Sequence, residues 1–413
     1  MDLDHPLIVL DPTSADPYSE GKRLQELGPC VPVELPQGVT AWITTDDASG
    51  REVLGHRQLA KNPQHWRAFR EGRISSDWPL MALAVGETML NRDGLDHARL
   101  RNPVTHAFNR RPTQTYAPRI QEITEELLDE LAGEPGDAVL DLKARYALPL
   151  PMRVICELLG IDDDIMRRQF GLHTSTLLLS TATPEEAGRA HVAVVALLDD
   201  LIAVKEQHPS DDLTTRLLQT HIDGQLTRSE LVDSLMLLVI AGHDTTVNLL
   251  TNAVKALLSH PEQLALVRDG ESSWEDVVQE TLRYDPPVQR VYFRFAVSDT
   301  VLGDVLVKEG DPVIVGLASA GRDPKVFTDP ETFDVTRDHP TTTLAFGHGA
   351  HYCLGVALAR LEVGTALPAL FRRFPDLALA TADQPRLASQ AMNGVRELPV
   401  RLAPGATARE PRA

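Results

Sequence analysis

Beyond residue 46, apolar residues recur mostly every three to four positions, the period of a helix that buries one face. In RIQEITEELLDELAG, Ile120, Ile123, Leu127 and Leu131 fall on one side and the acidic residues on the other, which predicts an amphipathic helix. RAHVAVVALLDDLIAVKEQHP repeats the pattern. The run 229–259, SELVDSLMLLVIAGHDTTVNLLTNAVKALLS, is apolar on several sides. At roughly 1.5 Å per residue it would exceed about 40 Å, so it is expected to cross the core. SWEDVVQETLRYDPPV predicts a helix stopped by two prolines, and a last helix follows Cys353. Alternation of period two is confined to places nearer the ends. CVPVELPQGVTAWITT predicts a hairpin about PQG, VLGDVLVKEGDPVIVG short strands about Gly-Asp turns, and RELPVRLAP a closing strand. The fold class that follows is mainly α with minor β.

Length alone would allow two or three domains in 413 residues. No Gly/Ser-rich, Pro-rich or single-charge run divides the chain and no repeat is visible, so one domain over 1–413 is expected. The net charge of −19 argues against bulk attraction to nucleic acid or to an anionic membrane. The opening MDLDHPLIVLDP has no basic region and no cleavable apolar segment, and the longest apolar run, 235–241, is too short to cross a bilayer. A soluble, cytoplasmic protein, monomeric and without nucleic-acid or membrane partners, is expected. Cys30, Cys156 and Cys353 are few and scattered, so no disulfide framework is implied.

One stretch stands apart. FGHGAHYCLGVALARLE surrounds Cys353 with Gly347, Gly349 and Gly355 and then opens a helix. The N–H groups of a first helical turn favour a thiolate, and glycines let a loop turn tightly and approach a flat object. Four readings follow from these residues: a buried structural cysteine, a nucleophile served by His348 or His351, a zinc ligand, or an axial ligand to haem iron. Zinc would want clustered ligands, and no CxxC or HExxH occurs, whereas haem needs one cysteine. A second stretch, Ala241-Gly242-His243-Asp244-Thr245-Thr246, sets polar groups between LLVI and VNLL. A bond from Thr245 to the carbonyl of Ala241 would bend the helix and open a notch there, with or without a functional role for the acid.

The decapeptide from Phe346 to Gly355 resembles the haem-binding loop of the cytochrome P-450 family. The resemblance implies the cytochrome P-450 fold, haem b, and Cys353 as the metal ligand, with Phe346 and Gly355 against the porphyrin and His351 on a propionate. Further matches run in order from about residue 90 to 395. His97 and Arg101 of DHARLR, otherwise an ordinary polar helix face, and Arg294 of VQRVYFRFA resemble the family's propionate partners. Asp244 and Thr245 resemble its acid–alcohol proton relay, with Ala241 beside the cofactor. Glu280 and Arg283, which could be a plain surface pair, resemble its structural Glu–Arg pair, with Arg337 as third member; Gly321 stands where the family often has Asn. The substrate pocket implied is Leu237, Ile240, Ala241, Val288, Val291 and Met392, near Gln289, Tyr292, Ala391 and Asn393, under a mobile loop over 66–90.

The activity implied is that of a haem-thiolate monooxygenase hydroxylating C–H bonds of a sizeable apolar substrate, a macrolide, another polyketide or a steroid. A peroxygenase, an oxidative coupling enzyme, a non-catalytic haem protein and a cysteine hydrolase remain as alternatives. No flavin or iron–sulfur signature is present, so electrons from NAD(P)H are expected through ferredoxin and ferredoxin reductase, docking near Arg99, Arg110, Arg111 and Arg360.

Overall fold

The computed structural model describes residues 7–78, 80–177, 182–339 and 342–403, without the side chains of Ala82, Leu83, Arg110, Pro112 and Tyr292. The run 229–259 is one helix, Arg228–Ser259, of 32 residues. It begins at a capping box, in which Thr227 and Glu230 satisfy each other's backbone N–H groups. Its apolar residues on several sides are matched by neighbours on several sides: the helices Pro149–Leu159, Pro184–Gln207, Trp274–Tyr284 and Val356–Arg373 all pack on it. By length and composition this helix could cross a membrane, which corrects the view that no apolar run is long enough; but 61% of the window concerned is buried against those neighbours.

The predicted amphipathic helix is Ala117–Ala132, with Ile120, Ile123, Leu127 and Leu131 all buried, against Val356–Arg373. The predicted hairpin pairs Cys30–Leu35 with Val39–Thr44, in register from Cys30↔Thr44 to Leu35↔Val39, around Pro36–Gly38. A six-stranded sheet extends it in the order Ile8–Val9, Cys30–Leu35, Val39–Thr44, Pro312–Gly316, Arg290–Ala296, Leu59–Ala60. The closing strand Pro399–Arg401 lies in a smaller sheet between Ala378–Leu379 and Leu140–Asp141.

Two local features position the site. In Arg290–Ala296 the register against Pro312–Gly316 shifts between Val291 and Arg294. Without that bulge, period two would put Val291 with Phe293 and oppose it to Arg294. With it, Val291 and Arg294 both line one cavity, while Phe293 and Phe295 join Trp66 and Trp78 in a buried aromatic cluster. The same cluster anchors two points, Trp66 and Trp78, of the segment 66–90, expected as a mobile loop over the entrance. Trp66 and Trp78 are buried, and Nε1 of Trp78 donates to the carbonyl of Pro36. Two short helices, Arg67–Arg70 and Met81–Ala84, fill much of the rest.

Candidate active site

The central helix, the bulged strand and the loop before Val356–Arg373 enclose a cavity of about 370 Å³. Cys353 lines it. Gly347 and Gly349 hold φ of 76° and 74°, a region other residues enter only with strain. They fold the loop back so that the N–H of Cys353 donates to the carbonyl of Phe346 at 2.9 Å. Burial pushes the Cys353 thiol up; against this, the N–H groups of Gly355 and Val356 donate to its sulfur, and the charge of Arg101 also favours the thiolate. A Lewis acid at the sulfur would meet a ligand already held by two donors. Gly355 has an ordinary φ of −84°, and a Cβ there would meet no protein atom within 4 Å. Its smallness therefore matters to what fills the cavity, which it lines with Phe346 and Leu358.

Cationic and donor groups converge on the same cavity. Lys61, Arg101, Arg294 and His351 line it, and His97 lies behind with its ring centroid 4.3 Å from that of His351. Arg101 donates to the carbonyl of Tyr352 at 2.8 Å, and Arg294 to that of Leu59 at 3.1 Å. Nε2 of His97, Nε of Arg294 and Nδ1 of His351 are buried and find no hydrogen-bond partner among the described residues. Burial, with like charges nearby, pushes Lys61 down to about 7 and His351 down to about 4. Asp93, its Oδ1 3.9 Å from Nε2 of His351, opposes this. Buried positive charge, with an orphaned guanidinium donor and two imidazoles able to donate, calls for anions. A flat macrocycle with two carboxylates, its metal facing Cys353, fits this donor set, so the residues present suit haem.

On the opposite wall, Leu237, Ala241 and Thr245 share one stripe of the central helix and line the cavity with Leu238 and Thr246. Oγ1 of Thr245 donates to the carbonyl of Ala241 at 2.7 Å, the bond expected from sequence. At about 100° per residue Ile240 points well away from that stripe. It packs into the core and, contrary to expectation, is not in the lining. Asp244 is turned aside as well: it accepts from Oγ of Ser175 at 3.2 Å and does not line the cavity. Val288, Val291, Ala391 and Met392 line it as expected, and Val288 bridges Met392. Gln289 and Asn393 do not. Gln289 donates to the carbonyl of Met392, and Asn393 to those around Pro286, so both hold the loops.

Glu280, Arg283 and Arg337 come together away from the cavity. Glu280 and Arg283 are fully buried and joined by two bonds of 2.7 Å, and Nε of Arg337 lies 3.3 Å from Glu280. Arg283 also donates to the carbonyls of Gly321, Pro330 and Thr332. A Cβ on Gly321 would lie 2.2 Å from the carbonyl oxygen of Arg283, which explains glycine at that position.

Sequence reasoning missed Lys61, Asp93 and Glu362. Glu362 was readable: it stands on the buried stripe of Leu358 and Ala366, a charge on an apolar face. It lines the cavity, Oε2 has no hydrogen-bond partner among the described residues, and burial raises its pKa well above the usual carboxylate range. Lys61 and Asp93 carry no local signal; only the fold brings them to the cation cluster.

A helix-rich fold whose long core helix faces a helix-capped cysteine across an apolar, cation-rimmed cavity defines a haem-thiolate oxygenase. The chain belongs to the cytochrome P450 family, whose model matches residues 274–399. It is 39% identical to the 2-hydroxy-5-methyl-1-naphthoate 7-hydroxylase of Streptomyces carzinostaticus, over 95% of this chain and 97% of that one. It is 36% identical to the 6-deoxyerythronolide B hydroxylase of Saccharopolyspora erythraea, over 96% and 98%. The testosterone-bound structure of CYP154C4 from a Streptomyces species superposes with a TM-score of 0.93 at 38% identity, over 97% of this chain and 99% of that one. The protein is a haem b monooxygenase, of a kind supplied with electrons by redox partners.

Proposed function

We propose that this enzyme hydroxylates a sizeable neutral substrate, a macrolide or other polyketide or a steroid, in the cytoplasm, as a monomer folded as one domain over 1–413, with ferredoxin and ferredoxin reductase supplying electrons from NAD(P)H. The observation that carries the substrate class is the chemistry of the wall facing Cys353. Leu237, Ala241, Val288, Val291, Ala391 and Met392 offer no charge, and Arg290, the charged neighbour there, is buried in an ion pair with Glu20. A charged substrate group would lose its hydration there with nothing to replace it. The activity of one relative on 6-deoxyerythronolide B and the testosterone in the similar structure support the same class.

Haem bound at Cys353 supplies the binding and reductive activation of O2. Lys61, His97, Arg101, Arg294 and His351 would hold its propionates. Thr245, through the notch it makes at Ala241, presents a hydroxyl to the reacting side, and Asp244 supplies that hydroxyl with protons. The apolar wall excludes bulk water and orients the C–H bond to be cleaved. For docking of the electron donor, Arg111 is exposed, whereas Arg99 is bound to Glu230 and Arg360 to Glu275 and Gln279, and the side chain of Arg110 lies outside those described. Titration of the ferric enzyme with testosterone and with a neutral macrolactone tests the substrate class. A low- to high-spin shift with either is expected; shifts confined to ionic ligands would sink it.

A further inference from the structure

The residue before the relay acid is a fully buried histidine that the mechanism above does not use. Nε2 of His243 lies 3.1 Å from the carbonyl oxygen of Leu148. A carbonyl can only accept, so Nε2 carries a proton. That leaves Nδ1, which lies 3.4 Å from Oδ2 of Asp244. Both atoms are buried, and neither makes a hydrogen bond to anything else among the described residues. A neutral imidazole protonated at Nε2 presents a lone pair at Nδ1, and an ionised carboxylate also presents only lone pairs. Two buried acceptors face to face leave both unsatisfied and repel. One proton between them resolves the conflict, whether it sits on Nδ1 or on Oδ2.

We propose that His243 is a positioning residue that keeps one proton on the His243–Asp244 pair, ready for transfer to Thr245. Oδ1 of Asp244 is tethered by Ser175 from the helix Asp164–Leu177, so the acid is held off the cavity in this arrangement. The proton passes to Oδ2 if it sits on Nδ1, leaving His243 neutral and protonated at Nε2, and rotation of the protonated Asp244 side chain toward Thr245 carries it across. Thr245 Oγ1 accepts it and releases its own proton into the cavity. Asp244, 14% exposed at its side chain, is reprotonated from bulk water after it swings back. No other reactant is needed. The charged groups around the pair are few. Lys143, from the turn Lys143–Ala147, adds positive charge near Asp244, with its Nζ donating to the carbonyl of Val395 at 2.7 Å. Leu148 offers its carbonyl, and Ser175 its hydroxyl.

The inference rests on the relay reading of Asp244 and Thr245, and the test separates the two. Product formed and peroxide released per NADPH are measured across the neutral pH range for the wild type, Asp244→Asn, His243→Gln and His243→Asn, each checked for a native spectrum of the reduced carbon-monoxide complex. Gln keeps a donor near Nε2 for Leu148, and Asn places its amide near Nδ1; neither carries a titrating proton. Coupling in both histidine variants is expected to fall on the order of tenfold, below the roughly 10²–10⁴-fold that a general acid carries. The solvent deuterium effect on product formation is expected to grow. Uncoupled Asp244→Asn beside histidine variants with wild-type coupling and solvent deuterium effect overturns the role of His243 alone. Fully coupled Asp244→Asn overturns the relay beneath it. If neither histidine variant gives the native spectrum, the infrared difference between wild type and Asp244→Asn decides: the carbonyl stretch of a protonated acid or the ring modes of an imidazolium support the shared proton, and the absence of both overturns it.

Discussion

Replacing Glu280 by Gln keeps the volume of the side chain and removes one charge. The carboxylate it replaces is fully buried, bonded twice to Arg283 at 2.7 Å, 3.3 Å from Arg337, and accepts from the N–H of Asp334 at 2.9 Å. Glutamine supplies one neutral acceptor and turns an NH2 toward a guanidinium. Arg283, also fully buried, is then a charge without a counter-charge. Losing one partner of such a pair costs about 3–5 kcal/mol, or roughly 150- to 5,000-fold in the unfolding constant. Glu185→Ala is the control, because it breaks an exposed pair with Arg189 whose side chains are 83% and 63% accessible. Such pairs contribute less than about 1 kcal/mol. Urea unfolding followed by the Soret band of the holoenzyme should place the Glu280→Gln midpoint well below both the wild type and the control. Midpoints are the quantity to compare, since loss of a bound cofactor makes unfolding more than two-state. Equal midpoints for Glu280→Gln and Glu185→Ala would refute the reasoning that this triad clamps the segment 321–337 to the core.

Glu362→Gln should behave in the opposite sense. The folded-state pKa of Glu362 is raised by burial, so the fold binds a proton there that the unfolded chain has released, and wild-type stability falls as pH rises above the ordinary glutamate range. The glutamine variant lacks that loss, so its advantage in urea midpoint should grow from ~pH 5 to ~pH 8, by up to about 1.4 kcal/mol per pH unit; an advantage independent of pH would count against a protonated carboxyl. Arg294→Gln removes one cation from the propionate cluster and should speed haem transfer to apomyoglobin by about 10- to 100-fold, as expected for about 1.5–3 kcal/mol per hydrogen bond to a charged group; an unchanged rate would place Arg294 outside the haem contacts. Arg111→Glu should slow reduction by ferredoxin at low salt while leaving substrate-induced spin shifts intact, and equal reduction rates would move the docking surface elsewhere.

Local pattern was enough for the parts of this molecule whose chemistry is local. The loop 346–355 is contiguous, and its glycines, cysteine and following helix can be read in a line. The helix 228–259 announces itself by apolar residues on several sides, and Thr245 finds the Ala241 carbonyl within its own turn. What escaped depended on rotation or on distant chain. Ile240 was assigned to the pocket with Leu237 and Ala241 by resemblance, yet helical phase turns it toward the core. Asp244 was read as facing the reaction, and contacts with Ser175 and His243 hold it aside. Arg294 reaches the cavity through a bulge that alternation does not reveal. Lys61 and Asp93 join the cation cluster only because the edge strand Leu59–Ala60 pairs with Arg290–Ala296. The anchors of the segment 66–90, Trp66 and Trp78, escaped notice because they bury against phenylalanines more than two hundred residues away.

The central claim is that the sulfur of Cys353 bonds the haem iron. The direct measurement is the absorption of the dithionite-reduced, carbon-monoxide-saturated wild type beside that of Cys353→His, which offers a neutral nitrogen in place of the thiolate. The account predicts a Soret band displaced to the red in the wild type and its replacement by a histidine-type band in the variant. A variant that keeps the wild-type band, or a wild type without the displacement, would contradict it.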